Sequence, residues 1–123
     1  MTLMTKLSEH FSEEEFMCHC GCGEKHINPK LIELLERIRA SFDKPIKIVS
    51  GHRCEKHNKE CGGKPHSQHM LGNAADIQVQ GVDPNDVQEY LMKHFNSDCK
   101  GLGRYRSFTH IDVREGSIAR WNG

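Results

Sequence analysis

Two short segments of this chain alternate apolar and polar residues in strict register, and they constrain the fold more than anything else in it. In Ala74 to Gln80, Ile77 and Val79 fall on one side of an extended strand, with Asp76 and Gln78 on the other. In Phe108 to Val113, Ile111 and Val113 share one side, and Phe108, His110 and Asp112 share the opposite one. A two-residue period marks a half-buried strand, because successive Cβ atoms point to opposite faces of a sheet. If both apolar sides enter one core, Asp76, His110 and Asp112 gather on the far surface of the same sheet.

The flanking segments read mainly as helices. Leu31, Leu34, Leu35 and Ile38 recur at the spacing of one buried helical stripe, and Asn28 followed by Pro29 supplies the cap and first position. Ser12 and Glu15 have capping-box spacing between Phe11 and Phe16, which predicts a short helix there. Asp83-Pro84 starts a further helix with Val87, Tyr90, Leu91 and Phe95 toward the core, and Pro45 to Ser50 is a third strand candidate. Residues 51 to 68 form a long polar connection containing Gly62-Gly63 and Pro65, and a loop of that length in a small domain usually carries function. The order predicts an α+β class: a small antiparallel sheet with helices packed on one side. At 123 residues the chain suits one domain, 1–123, with one modest core.

Composition narrows the function classes. Lys+Arg and Asp+Glu both number 17, so no general basic field exists to hold nucleic acid. No apolar run approaches the ~20 residues of a membrane span, which excludes membrane insertion by a helix. Met1 to Lys6 lacks the apolar stretch of a secretory signal, and the expectation is a monomer that is cytoplasmic as synthesised.

Nine histidines and six cysteines in so short a chain point to metal chemistry. His69 precedes Asp76 by seven residues, with Gly72 between them to let the chain turn before the strand. Together with His110 they offer two imidazoles and a carboxylate, the donor set of a zinc site with an open fourth position. Asp112, on the same strand face, is the candidate general base. Cys18 and Cys22, with three residues between them, form a four-thiolate set for a structural zinc when joined by Cys54 and Cys61; disulfides and ordinary buried thiols are the alternatives. Cys20 is left out because it stands too close to both neighbours for a zinc-ribbon spacing.

Ser67, His69, Gly72, Ala74 and Asp76 match, position by position, a signature of the form S-x-H-x-x-G-x-A-x-D, and His110-Ile111-Asp112 supplies its later half. Ser50-Gly51-His52-Arg53 resembles an S-G-x-R motif upstream, and Gly101-Leu102-Gly103-Arg104-Tyr105 and Ala119-Arg120-Trp121 extend the likeness downstream. In these features the chain resembles the metallo-D,D-peptidase family (peptidase M15-like), the zinc carboxypeptidases and endopeptidases of bacterial walls and their phages. The resemblance implies a fold shared with the Hedgehog signalling domain, one catalytic Zn2+ on His69, Asp76 and His110, and peptidoglycan stem peptides as substrate. It also implies that Arg53 binds substrate or the developing oxyanion, that Ser67 bonds the substrate backbone, and that Asp112 takes a proton from the attacking water. Where several members carry an acid three residues before the last ligand, this chain has Ser107. A role as a phage or prophage lysis enzyme, released by a holin-type partner, fits the absent export signal. The alternative function is a non-catalytic zinc module that binds wall peptides or a protein partner, as the Hedgehog domain illustrates.

Overall fold

The computed structural model describes residues 6–23 and 26–123. Residues 1–5, on which most of the export-signal reading rests, lie outside the described residues, as do 24 and 25.

The principal helix, α1 (Pro29–Phe42), begins where the Asn28 side chain accepts a hydrogen bond from the Lys30 backbone at 3.0 Å, and Pro29 takes a first-turn position that needs no N–H partner. It ends at Asp43, whose backbone turns left-handed at φ 51°. Leu31, Leu34, Leu35 and Ile38 are buried along one stripe, each such side chain contributing about 1.5–3 kcal/mol relative to exposure. Within the long connection, Glu55–Glu60 form a short helix, α2, with Cys54 at its start. The helix α3 (Pro84–His94) repeats the design of α1: Asp83 caps it through the Asn85 N–H at 2.8 Å, and Val87 and Leu91 enter the core.

Among the described residues, five strands form one sheet in the order β1 (Ile46–Ser50), β2 (Ala74–Val79), β4 (Thr109–Asp112), β3 (Gly101–Arg104), β5 (Ala119–Asn122). The α+β class is as the sequence predicts, with one difference. The sheet is mixed rather than wholly antiparallel, because β5 joins the edge of β3 in parallel. β3 and β5 are additional to the strands read from the sequence, and the segment predicted as a first helix is a single 3-10 turn, Glu13–Phe16. That turn keeps its predicted contacts: Glu15 accepts from the Ser12 N–H at 2.7 Å, and the Phe11 and Phe16 rings lie 6.2 Å apart.

Ile46, Ile48, Ala75, Ile77, Val79, Leu102 and Ile111 share one core with the buried faces of α1 and α3. The pairing of β2 with β4 places Asp76 opposite His110 and Ala74 opposite Asp112, so these polar residues lie together on the other face. On the far side of β4, Gly103 stands opposite His110 and Gly101 opposite Asp112. Both glycines leave room that a side chain would fill: a Cβ at Gly101 would overlap the Asp112 carboxylate, and one at Gly103 would come within 2.6 Å of the Trp121 indole.

Candidate metal centre

His69 comes from a 3-10 turn, Gln68–Leu71, just ahead of β2. The Ser67 hydroxyl oxygen accepts from the His69 N–H at 3.2 Å to open the turn, and Gly72 closes it at φ +75°. A side chain at Gly72 would run into the backbone carbonyl of His26, so the turn requires glycine on two counts. The result brings a buried imidazole to the end of the strand that carries Asp76.

Three donor atoms converge. His69 Nε2 lies 3.2 Å and His110 Nδ1 3.0 Å from the same oxygen of Asp76, Oδ1. Metal bonds of about 2.0–2.1 Å at tetrahedral angles put neighbouring donors roughly 3.3 Å apart, so this spacing suits zinc. The other polar atom of each side chain is already engaged. His69 Nδ1 is 2.7 Å from the Gly51 carbonyl, which only accepts and therefore holds the proton there. His110 Nε2 donates in the same way to Asp112 Oδ2 at 2.8 Å. Asp76 Oδ2 accepts from Arg53 Nη2 at 3.5 Å. With both imidazoles neutral, each turns a lone pair toward an already negative oxygen, an arrangement that requires a cation or added protons at its centre.

The electrostatics agree with that reading. His69, Asp76 and His110 are 3%, 4% and 6% exposed, so little water screens them. Burial pushes the Asp76 carboxyl up, but hydrogen bonds from His110 and His69 outweigh it and hold the group at about 2. Burial opposes charge on His110 as well, yet its bonds to Asp112 and Asp76 raise its pKa above the ordinary value. A strong preference for negative charge on Asp76 is the property a metal ligand needs.

The structure departs from expectation at Asp112. This residue is fully buried, with Oδ2 taken by His110 and by Arg114 Nη2 at 2.7 Å, and Oδ1 by Arg114 Nε at 2.9 Å and the Arg114 N–H at 3.1 Å. Burial raises its pKa, but the bonds from His110 and Arg114 together hold it well below the usual carboxylate range. It stands behind the His110 ring, on the nitrogen that does not face Asp76, and is closed off from water. Arg53 lies beside the three donors, its guanidinium also touching Asn58 Oδ1 at 3.3 Å and Ser50 Oγ at 3.4 Å. His52, the variable position of the S-G-x-R motif, is buried in edge contact with the His26 ring at 4.8 Å.

Several groups that support the centre were given no role in it from the sequence. Arg114, two positions after Asp112, could have been found as its charge partner. Gly51 belongs to the S-G-x-R motif, but a backbone carbonyl has no side-chain pattern that would announce its bond to His69. Trp121 reaches the site only because β5 docks on β3; its ring lies 4.9 Å from His110 and its Nε1 donates to the Tyr105 hydroxyl at 2.9 Å. Gln88, buried on α3, donates to the Tyr105 and Phe108 carbonyls and to Thr109 Oγ1, which fixes the connection leading into His110.

The cysteines regroup relative to the sequence reading. Cys18, Cys22 and Cys54 meet as expected, but Cys20 completes the group and Cys61 does not. Cys54 and Cys61 stand at opposite ends of α2, and that helix separates their sulfurs; Cys61 lies 3.3 Å from His57 Nε2 instead. None of the six cysteines is joined in a disulfide in this structure.

Among the described residues no helix is long and apolar enough to cross a membrane. No curated protein matches the chain. A family model described as Peptidase M15 matches residues 9–112. That match takes in all three donors and the strands and turn that hold them, and the chain belongs to the Peptidase M15 family of zinc metallopeptidases.

Proposed function

We propose that this protein hydrolyses peptide bonds involving D-amino acids in the stem peptides of bacterial peptidoglycan, using one zinc held by His69, Asp76 and His110. The observation that carries the reading is the convergence of two imidazole lone pairs on Asp76 Oδ1, with the outer atom of every ligand already bonded. Zinc bound there supplies Lewis acidity toward the scissile carbonyl and toward water. Arg53, fixed by Ser50, Asn58 and Asp76, keeps a guanidinium beside the donors and stabilises substrate carboxylate or developing negative charge on the carbonyl oxygen. Ser67 accepts from the His69 N–H, which leaves its own hydroxyl proton to donate to a substrate backbone carbonyl. Asp112 keeps the proton of His110 on Nε2, so that Nδ1 remains the ligand atom. Its engaged geometry fits this orienting role better than that of general base.

A second reading, a non-catalytic zinc module that binds wall peptides, draws support from one observation. Among the described residues, Asp76 and Asp112 are the carboxylates bonded to the histidines of the donor set, and both oxygens of each are engaged. Metal content and product release from purified peptidoglycan separate the two. Release of free D-alanine or of cross-link fragments by the zinc-loaded parent, absent in His69→Ala, supports the peptidase and tells carboxypeptidase from endopeptidase. Stoichiometric zinc with no fragment from any peptidoglycan type supports the binding module.

A further inference from the structure

We propose that Cys18, Cys20, Cys22 and Cys54 form a second, structural metal site that takes Zn2+ and ties the N-terminal segment to the loop carrying Gly51 and Arg53. The geometry is already that of a thiolate cage. Cys18 Sγ lies 3.4 Å from Cys20 Sγ and 3.7 Å from Cys54 Sγ, Cys20 and Cys54 are 3.6 Å apart, and all four sulfurs fall within 4.8 Å of one another. Zinc–sulfur bonds of about 2.3 Å at tetrahedral angles put sulfurs roughly 3.8 Å apart. A disulfide needs about 2.05 Å, and none is formed.

The backbone is arranged for the same purpose. Three cysteines alternating with single residues reach one point only if the chain doubles back, and Gly21, between Cys20 and Cys22, turns it at φ +84°, where a side chain would be strained. Two backbone N–H groups aim at sulfur, that of Cys54 at Cys18 Sγ and that of His57 at Cys54 Sγ, each at 3.4 Å. Such donors stabilise ligating thiolates once the thiols have released their protons to solvent on metal binding. Residues 17–23 form no helix or strand.

The position of the cluster gives it a task. Cys54 directly follows Arg53 and caps α2, while the His52 N–H donates to the Phe16 carbonyl at 2.8 Å. Metal at the four sulfurs therefore pins both sides of the loop whose Gly51 carbonyl orients His69. This inference does not rest on the peptidase reading, since the fourfold thiolate site would hold metal whatever the substrate.

The test is reconstitution of the reduced, chelator-stripped protein with Zn2+ and, separately, with Co2+, whose thiolate complexes absorb strongly in the near ultraviolet by sulfur-to-metal charge transfer. A His/Asp/His site gives no such band, so the signal is specific to the cysteines. The expected result is two zinc equivalents and a strong band in the parent. His110→Ala is expected to keep the band and one equivalent. Cys61→Ser keeps the band at full strength, whereas in Cys20→Ser, with three thiolates left, the band weakens per bound metal and metal is bound less tightly at that site. A parent without the band overturns the proposal, and so does a band lost in Cys61→Ser. If Cys20→Ser does not fold, the parent and Cys61→Ser spectra still decide.

Discussion

The two candidate metal-binding clusters are built in opposite ways. The His69, Asp76 and His110 set is buried and stands on or beside paired strands, and each ligand is oriented by a further group: a carbonyl, a carboxylate or a guanidinium. In the cysteine cluster only Cys18 is buried; Cys20 and Cys22 are exposed on a segment without regular structure and Cys54 is half-buried. Strand pairing presets the first centre before any metal arrives, because register alone puts Asp76 opposite His110. The second has glycine turns and two N–H···S bonds, and its order must come largely from the ion itself. A preset site can lose its metal and keep its shape, whereas a site ordered by metal cannot.

The largest effect that could break this comparison is on activity. His69→Ala is expected to abolish peptidoglycan hydrolysis while leaving most of the fold stable, whereas Cys20→Ser lowers activity and loosens the N-terminal segment. Hydrogen exchange of residues 16–23 alongside turnover reads both. The contrast fails if Cys20→Ser is fully active with unchanged protection.

Next in size is Asp112→Asn. An orienting carboxylate predicts zinc affinity at the His/Asp/His centre weaker by about 10- to 100-fold, with activity recovered at saturating zinc. A general base predicts the reverse, unchanged affinity and turnover lost at any zinc concentration. Titration with a competing chelator, combined with turnover at high zinc, separates the two.

Gly101→Ala probes how tightly the preset centre is packed. The added methyl would overlap the Asp112 carboxylate, and overpacking of this kind costs about 1–3 kcal/mol in denaturant unfolding. Gly21→Ala meets open space and is strained only by its left-handed backbone, so its cost should be smaller and should grow when metal is present. Equal costs in the two variants would erase the distinction between a packed centre and a metal-ordered one.

These differences also explain what could be read from the sequence. The alternation around Ile77 and Ile111 located β2 and β4, and with them the polar face, because a one-residue slip would bury Asp76 and His110 among leucines. β3 stayed hidden since Gly101 and Gly103 weaken any strand signal, and those glycines exist to make room for Asp112 and Trp121. β5 shows no alternation of burial, and its place is set by the edge of β3 rather than by its own pattern. Cys20 was misjudged because a spacing rule assumes an ordinary chain path, and the left-handed Gly21 beside it removes that assumption. The engagement of Asp112 by Arg114 is a tertiary fact: spacing placed the carboxylate near the metal but not which way it faces.

The smallest expected effect concerns acid stability of the metal-free protein. The Asp76 carboxyl is held at about 2 in the fold, against an ordinary value of 3.8, so its ionised form is favoured by folding. A depressed carboxyl contributes stability that is complete above the unfolded value and lost as pH falls toward the folded one, here between about pH 4 and 2. The shift corresponds to about 2 kcal/mol, of which Asp76→Asn should remove the acid-dependent part. His110 behaves with the opposite sign: its raised pKa adds stability that is complete below its ordinary value of 6.5 and lost as pH rises through the folded value. Zinc at the centre replaces the proton on His110, so the loaded protein should keep its stability on the alkaline side while the stripped protein does not. Urea unfolding across about pH 2 to 9, with and without zinc, reads both limbs. Identical alkaline limbs would mean that metal does not occupy the His110 side of the centre, and the preset site would then lack the ion its geometry requires.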